Sequence, residues 1–255
     1  PLFSATDASN NPQPITGGIA IAYDSTLKPW IYFGTGSYIT NADVQLPNTK
    51  SIQTWYGIRD EGSTAISGRS VLKQRSIAFA GEFADKYVRA VDIQVPGDMT
   101  DAQGNDYKGW YLDLINPPYG TDQQLGERIV GTPVVRGERI LVSSITPSLD
   151  PCNEGRGFLN EVGLFTGASG YENEPGYLDV NGNGYGDDTV TLANGKVAAI
   201  SSVDLNIFMP TDAIVLAGGS DDLIVVGGSQ GGTGTSPYRN SRSVGRISWH
   251  EMINN

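Results

Sequence analysis

Short runs of β-branched and aromatic residues, each ended within a few positions by glycine, proline or asparagine, recur along the whole chain. Such runs are typical of β-strands, and the spacing of apolar residues that marks an amphipathic helix is almost absent. The chain is therefore predicted to be all-β. The predicted strands are residues 18–23, 30–33, 54–58, 87–95, 110–114, 128–130, 133–135, 139–144, 157–165, 197–202, 213–216, 223–226 and 245–249.

Turn-forming residues narrow the architecture further. The 255 residues include 33 glycines and 14 prolines, and several predicted strands end in glycine-rich turns, at residues 31–36, 131–137, 214–219 and 223–232. Strands that lead repeatedly to glycine-rich turns without a strict period favour a β-propeller whose blades carry variable insertions. A β-sandwich or a jelly roll would give a similar number of strands, so both remain alternatives.

The charge of the chain limits its partners. It carries 28 acidic and 17 basic residues, for a net charge of -11, and has no basic run. This balance argues against nucleic acid or an anionic membrane surface as the main partner. No apolar stretch is long enough to form a transmembrane helix, so no membrane span is predicted.

Two residue types that often build functional sites occur once each. A single cysteine, Cys152, excludes a disulfide within the chain, and a single histidine, His250, excludes a zinc site made of several imidazoles. We interpret Cys152, which lies between Pro151 and Asn153 in a predicted loop, as an unpaired thiol. We interpret His250 as a packing or surface residue, since it has no visible Ser or Cys partner. Stability must then come from packing, hydrogen bonds or a hard metal ion.

Two segments interrupt the pattern of apolar strands. Residues 60–108 contain polar and charged strands and are predicted to be an inserted β subdomain or a long blade extension. Residues 169–193 are rich in glycine, asparagine and acidic side chains, with almost no apolar periodicity. We expect the functional chemistry in this second insertion.

The second insertion contains the string DVNGNGYGDD, which has the spacing of a calcium-binding loop. The side chains at its first, third, fifth and ninth positions are Asp179, Asn181, Asn183 and Asp187. Gly184 occupies the sixth position, where such loops turn sharply, and Tyr185 follows with a backbone carbonyl that can bind the ion. This spacing suits calcium because the ion takes six to eight oxygen ligands, which a coiled loop presents from every second residue.

The closing ligand of this loop is missing. Position twelve, usually a bidentate glutamate, is Val190, so Asp188 or the upstream Glu172 and Glu174 would have to supply further oxygens. With two loop carboxylates we expect weak affinity, roughly 10⁻⁵ to 10⁻³ M. The alternative is a metal-free loop, because Asn-Gly dipeptides such as 181–182 and 183–184 also form tight hairpin turns.

Longer strings of the sequence resemble a known family. KPWIYFGTGSYIT, QTWYGIRDEG, GWYLDL, GERIVGTPVVRGERILVSSITPSLDPC and GRISWHE occur in order between residues 28 and 251. Together they resemble the C-terminal propeller domain of PilY-type proteins, which are type IV pilus biogenesis factors and tip-associated adhesins. The resemblance runs over nearly the whole chain. It implies a modified β-propeller at the bacterial cell surface, at the pilus tip and associated with the outer membrane, with calcium linked to pilus extension and retraction and a role in adhesion.

The resemblance also bears on the metal site and the partners. The family's calcium pattern is D-x-N-x-D-G-x-x-D, which this chain matches except for Asn183 at the third ligand position. Minor pilins are the implied partners, and a host or surface receptor is a further candidate. The resemblance implies a non-enzymatic protein. The alternatives are a propeller hydrolase, a quinone-dependent dehydrogenase fragment and a structural filament subunit.

The predicted strands supply about three blades, fewer than the four or more that close a propeller. The chain also begins at Pro1 with neither a methionine nor a signal-like segment. We therefore expect a C-terminal portion of a PilY-type propeller, accompanied by the remaining blades of a longer chain.

Overall fold

The regular secondary structure of the described residues is almost entirely β-strand, as the sequence predicts. The structure is a computed structural model that describes residues 1–44, 51–62, 65–117, 126–148, 154–218 and 221–239. The strands are β1 Ala20–Tyr23, β2 Pro29–Gly34, β3 Thr54–Arg59, β4 Lys73–Arg75, β5 Ile77–Phe83, β6 Lys86–Val91, β7 Gly109–Asp113, β8 Val134–Arg136, β9 Arg139–Thr146, β10 Arg156–Gly163, β11 Thr189–Thr191, β12 Val197–Ala199, β13 Ser202–Val203, β14 Ile214–Leu216, β15 Asp221–Gly227 and β16 Thr233–Arg239. The helical elements are the short helix α1, Asn41–Val44, and a 3-10 turn, Arg69–Val71.

Most predicted strands are confirmed within a few residues, and the exceptions have local causes. The predicted strand at 128–130 was wrong, because this segment makes an isolated bridge between Arg128 and Ile145 instead of a strand. The predicted strand at 245–249 lies outside the described residues, as do Cys152 and His250. Strand β16 was not predicted because Gly234 and Pro237 interrupt its run of β-forming residues.

The first sheet has the strand order β1-β2-β3-β7-β4. Neighbouring strands are antiparallel except β4, which runs parallel to β7. Strands β3 and β7 pair directly, with Trp55 opposite Leu112, so residues 60–108 connect two neighbouring strands of this sheet. The strands of this segment lie in two sheets, because β4 stays in the first and β5 and β6 join the second.

The second sheet has the order β5-β6-β13-β10-β9-β8, and its neighbouring strands are antiparallel. Two smaller sheets complete the described part of the chain. One pairs β11 with β12, and the other has the order β14-β15-β16.

The first and second sheets pack face to face around an aromatic core. Alternation along β9 places Ile140 and Val142 in this core, and Leu141 between them faces the opposite side of the sheet. The main contributors are Trp30, Tyr32, Trp55, Trp110 and Leu112 from the first sheet and Ile77, Val91, Ile140, Val142 and Val162 from the second.

The opposite face of the second sheet packs against the small sheets and the insertion at 169–193. This core includes Val88, Leu141 and Leu159 from the second sheet, Ile224, Val226 and Tyr238 from β15 and β16, and Leu178, Val180, Val190 and Leu192 from the insertion. Sheets that stack face to face are also the arrangement of propeller blades. No sheet in the described residues closes on itself, so the predicted propeller with three blades stays a prediction.

A bidentate ion pair is buried between the first two sheets. The Arg89 guanidinium donates hydrogen bonds to both Glu127 carboxylate oxygens, at 2.7 and 2.8 Å, and a further one to the Asn160 side-chain oxygen at 2.9 Å. All three residues are buried. Both carboxylate oxygens and one amide oxygen accept hydrogen bonds from the guanidinium. The positive charge of Arg89 is therefore compensated inside the core.

None of the helices in the described ranges is long and apolar enough to cross a membrane.

Candidate calcium-binding loop

The loop at residues 179–188 begins where the chain leaves an edge of the three-stranded sheet. Leu178 forms a bridge with Tyr238 of β16, and the Asp179 backbone N–H donates to the Pro237 carbonyl at 3.1 Å. The Ser236 hydroxyl donates to the Asp179 carbonyl, also at 3.1 Å. The first residue of the loop is therefore fixed to β16 through its backbone on both sides.

The Asp179 carboxylate organises the first half of the loop. One oxygen accepts the Gly182 backbone N–H at 2.8 Å, and the other accepts the Gly184 backbone N–H at 2.9 Å. Asp179 is only 4% exposed. The carboxylate thus lies over the backbone amides that follow it, with a second lone pair on each oxygen unused by these bonds.

Asn181 and Asn183 repeat this arrangement two residues apart. The Asn181 side-chain oxygen accepts the Asn183 backbone N–H at 2.8 Å. The Asn183 side-chain oxygen accepts the Tyr185 backbone N–H at the same distance. The side chains of Asp179, Asn181 and Asn183 thus each accept a hydrogen bond from a backbone N–H further along the loop. These bonds wind the loop into a coil.

Glycines are needed in this loop for two different reasons. Gly182 and Gly184 have φ angles of +77° and +90°, in the left-handed region that favours glycine, and an added Cβ would meet nothing within 4 Å. Gly186 is constrained by space, because a Cβ there would lie 2.1 Å from the Tyr177 carbonyl oxygen. The first two glycines allow the coil to form, and the third lets it pack against the strand edge.

The structure places Asp188 outside the coil. Its carboxylate accepts the backbone N–H groups of Val180 and Asn181, at 2.7 and 3.1 Å, and also the Asn181 side-chain N–H. Asp188 therefore ties the start of the loop to the start of β11. Val190 lies within β11 and is buried in the core, so it leaves the twelfth position without a ligand.

The other residues predicted for the site differ in their surroundings. Asp187 is exposed, and its carboxylate lies 3.5 Å from the Asn183 side-chain nitrogen. The Tyr185 side chain is exposed, which leaves its backbone carbonyl as the group of interest. The upstream glutamates are engaged elsewhere: Glu172 forms an ion pair with Lys196 at 3.4 Å, and Glu174 accepts the Tyr171 backbone N–H at 2.8 Å.

The donor atoms of the loop suit a hard cation. Every candidate ligand is an oxygen: the carboxylates of Asp179 and Asp187, the amide oxygens of Asn181 and Asn183, and the Tyr185 carbonyl. If each of these five groups gives one oxygen, the ion has fewer than the six to eight ligands that calcium takes, so water would complete the shell. Within the described ranges, no cluster of three or more His, Cys, Asp or Glu side chains is poised to hold a metal. Two carboxylates are therefore too few to hold the ion by themselves, and calcium would also need the amide and carbonyl oxygens of the loop.

Sequence reasoning missed the residues that anchor the loop. The Lys86 ammonium on β6 donates to the Val180 carbonyl at 2.9 Å, and Ser236 of β16 contacts Asp179. Both anchors come from strands distant in sequence. A local motif therefore gives no sign of these anchors. Asp188 lies directly before the first strand of the insertion, and this position could have suggested that it ties the loop to that strand.

Comparisons with curated proteins identify relatives along the chain. A type IV pilus biogenesis factor PilY1 homolog of Xylella fastidiosa is 30% identical over 260 residues, which covers 99% of this chain and 19% of the relative. The type IV pilus biogenesis factor PilY1 of Pseudomonas aeruginosa is 34% identical over 169 residues, covering 61% of this chain and 14% of the relative. The chain thus spans less than a fifth of the length of these relatives. No protein-family model matches it.

A solved structure has a similar fold. The crystal structure of the Pseudomonas aeruginosa PilY1 C-terminal domain matches with a TM-score of 0.71 and 22% sequence identity, covering 92% of this chain and 48% of that one. The sequence and structural matches agree with each other and with the ordered strings noted above. The chain belongs to the PilY1-type family of type IV pilus factors, in the region of their C-terminal domain.

Proposed function

We propose that this chain is a calcium-binding, non-enzymatic part of a type IV pilus biogenesis factor, and that it acts at the bacterial cell surface in pilus assembly and adhesion. The observation that carries the calcium part is the pair of hydrogen bonds from Gly182 and Gly184 to the Asp179 carboxylate. They hold the first ligand in place before the ion arrives. The pilus part rests on the names of the relatives.

Preorganisation explains why a loop with few charges can still bind calcium. The amides that follow Asp179, Asn181 and Asn183 fix the side-chain oxygens, so less conformational entropy is lost when the ion binds. Only Asp179 and Asp187 carry charge among the ligands, and Asn183 stands where the family pattern has a third carboxylate. We expect a dissociation constant of about 10⁻⁵ to 10⁻³ M, the range of extracellular calcium modules.

Calcium at this loop would act on the attachment of the three-stranded sheet. The loop contacts β16 through Ser236 and Pro237, and Leu178 and Val180 on either side of Asp179 are buried in the core that joins β15 and β16 to the second sheet. An ion bound to Asp179 therefore stabilises a junction between sheets. This favours a structural role for the metal.

Thermal unfolding tests the calcium proposal. Millimolar calcium should raise the melting temperature and a chelator should lower it, because the ion binds the folded loop selectively. Isothermal titration calorimetry with calcium alone should give one saturable site, and Asp179→Ala should abolish both effects. No bound calcium by calorimetry, together with an unchanged melting curve, would rule the site out.

The chain offers a matched control for this substitution. Asp101 also accepts backbone N–H groups in a tight turn, from Gln103 at 2.9 Å and Asn105 at 2.8 Å. Gln103 and Asn105 follow it at the same spacing, but the Asn105 side-chain nitrogen donates back to the Asp101 carboxylate at 3.1 Å, so this carboxylate is engaged by its own turn. Asp101→Ala should therefore leave the calcium-induced rise in melting temperature intact.

The proposed partners include the remaining part of a longer chain and the minor pilins. Edge strand β1 exposes Ile21 and Tyr23, Ile19 just before it is also exposed, and β14 exposes Ile214 and Leu216. Apolar side chains on edge strands favour association, which supports a covering partner. A version extended to the flanking sequence of its own gene should bind less of a hydrophobic dye per molecule than the 255-residue chain.

The pilus role needs a test in cells. Replacing the gene in the source bacterium with a version that lacks this region should reduce surface piliation and pilus-dependent attachment. A strain that carries Asp179→Ala should show whether calcium matters to that role. Normal piliation and attachment without the region would contradict the proposed function, whatever the calcium result.

A further inference from the structure

Arg128 is a buried cation whose hydrogen bonds go to backbone carbonyls. It is 5% exposed, and its guanidinium donates to the carbonyls of Gly126 at 3.0 Å, Ser37 at 2.7 Å and Asp43 at 2.7 Å. These bonds use Nε and Nη1. The second terminal nitrogen, Nη2, makes no hydrogen bond to a described residue.

This arrangement differs from that of the other buried arginines among the described residues. Arg75 pairs with Asp98 at 2.7 Å, Arg89 pairs with Glu127 at 2.7 Å, and Arg139 pairs with Glu161. In the described part of the chain, no carboxylate lies within ion-pair distance of the Arg128 guanidinium. Burial lowers the pKa of Arg128, and the nearby charge of Asp43 acts in the opposite direction. A buried guanidinium without a counter-ion is costly and is normally compensated.

Arg128 lines a cavity of about 360 Å³ between the N-terminal segment, α1 and the start of β3. Most of the residues that line it have polar side chains, among them Asn11, Gln13, Ser37, Ser51 and Gln53. The volume is enough for a small organic molecule or for the end of a peptide.

A second buried group in the same cavity also lacks a partner. Gln53 is 7% exposed, and its side-chain oxygen Oε1 accepts no hydrogen bond from the described residues, whereas its Nε2 donates to the Ser51 hydroxyl at 2.9 Å. Among the described residues, the cavity is thus lined by a cation with no carboxylate at ion-pair distance and by a side chain whose acceptor lacks a donor. A ligand that satisfies both must carry a negative group and an N–H group.

Two carboxylates in the cavity wall restrict the charge of such a ligand. Asp43 accepts the backbone N–H groups of Ile39 and Thr40, which lowers its pKa to about 2, and Asp7 accepts those of Ser9 and Asn11. Both are ionised at neutral pH. They disfavour a doubly charged phosphate and tolerate a singly charged group that carries hydrogen-bond donors.

We propose that this cavity binds an organic carboxylate that carries a neighbouring N–H group, such as a free amino acid or the C-terminal residue of a peptide. The carboxylate binds Arg128, through the free Nη2, and the N–H group donates to Gln53 Oε1. The two sources share this chemistry and differ only in whether the nitrogen is an ammonium or an amide.

Three small probes test the proposal by calorimetry or by NMR titration. N-acetylglycine mimics a peptide C-terminus, glycine is the free amino acid, and glycinamide keeps the nitrogen and lacks the carboxylate. We expect saturable binding of at least one of the first two and none of glycinamide. Preference for N-acetylglycine identifies a peptide terminus, and preference for glycine identifies an amino acid. Equal binding of glycinamide, or no binding of either carboxylate, overturns the proposal.

Variants locate the bound probe. Arg128→Lys should weaken binding about tenfold or more, since it removes the forked geometry that suits a carboxylate. Because Arg128 also supports Ser37 and Asp43, this variant can disturb folding, so a second variant is needed. Ala42→Phe places a large side chain in the cavity wall without removing a hydrogen bond, and it should abolish binding. Unchanged affinity in Ala42→Phe would exclude the cavity as the site, and Arg59→Lys, outside the cavity, is the control.

Discussion

The backbone N–H of Gly184 donates to the Asp179 carboxylate at 2.9 Å, which joins the sixth residue of the loop to the first. The Gly182 N–H donates to the other oxygen of the same carboxylate. Asp179 therefore has a structural role that does not depend on calcium. This role can be separated from the proposed calcium binding, because an asparagine keeps an oxygen acceptor and loses the charge.

Asp179→Ala should destabilise the protein even in the presence of a chelator, by about 1–3 kcal/mol, because two amides lose their acceptor. Asp179→Asn should cost less under the same conditions and should still lose most of the calcium-induced stabilisation. Urea denaturation of both variants, with calcium and with chelator, measures these differences. A calcium effect of wild-type size in Asp179→Asn would show that the ion binds elsewhere.

Alanine substitutions at two glycines of the loop should differ in severity. Gly184→Ala imposes left-handed backbone on a residue with a Cβ, at a cost of about 1–2 kcal/mol, but it meets no neighbouring atom. Gly186→Ala places the Cβ 2.1 Å from the Tyr177 carbonyl oxygen, so the pairing of residues 177–179 with β16 must shift. We expect about 3 kcal/mol for this second change. Chemical denaturation of the two variants side by side provides the comparison, and a larger loss at Gly184 would contradict it.

The buried pair of Arg89 and Glu127 should be sensitive to the loss of either partner. Glu127→Leu leaves an uncompensated guanidinium between the first two sheets and should cost about 3–5 kcal/mol. Combining it with Arg89→Met should recover part of this loss, because no buried charge remains. Recovery should be incomplete, since the Asn160 side-chain oxygen then loses its donor.

A partly exposed cluster of ion pairs provides the comparison for this experiment. Glu61 accepts hydrogen bonds from Lys28 and Arg59 beside the first sheet. Because solvent reaches these side chains, Glu61→Gln should cost about 1 kcal/mol, less than the loss of the buried pair. If Glu127→Leu destabilises the chain no more than Glu61→Gln does, the buried pair is not formed in solution.

The sequence could predict those parts of the structure that depend on neighbouring residues. In the runs that include Trp55 and Ile140, apolar residues either alternate with polar ones or follow one another without a break. Both patterns are typical of β-strands, so the all-β character was predictable. The loop was predictable because Asp179, Asn181 and Asn183 are spaced along one short segment. Their hydrogen bonds to following amides are equally local.

Features that depend on distant residues could not be predicted in the same way. The short strand β13 pairs with β6 and β10, which lie more than a hundred and about forty residues before it, and no local pattern encodes that order. Strand β16 contains Pro237, which a sheet edge tolerates but a sequence pattern counts against. That no carboxylate of the described residues lies within ion-pair distance of Arg128 is likewise a property of the folded chain, since Glu127 beside it in sequence pairs with Arg89 instead.

Asp24 should make the stability of the β1–β2 hairpin depend on pH. Its carboxylate accepts hydrogen bonds from the Thr26 hydroxyl at 2.6 Å and the Trp30 indole N–H at 3.1 Å, and the Thr26 hydrogen bond is the main cause that lowers its pKa from 3.8 to about 2. The folded protein therefore binds this proton less readily than the unfolded chain does. The resulting stabilisation is complete above about pH 4 and disappears as the pH falls toward 2. Asp24→Asn should be less stable than the wild type at neutral pH, and urea denaturation at a series of pH values should show the difference shrinking across this window. A difference that stays constant from neutral pH down to pH 2 would mean that the Asp24 charge does not support the hairpin.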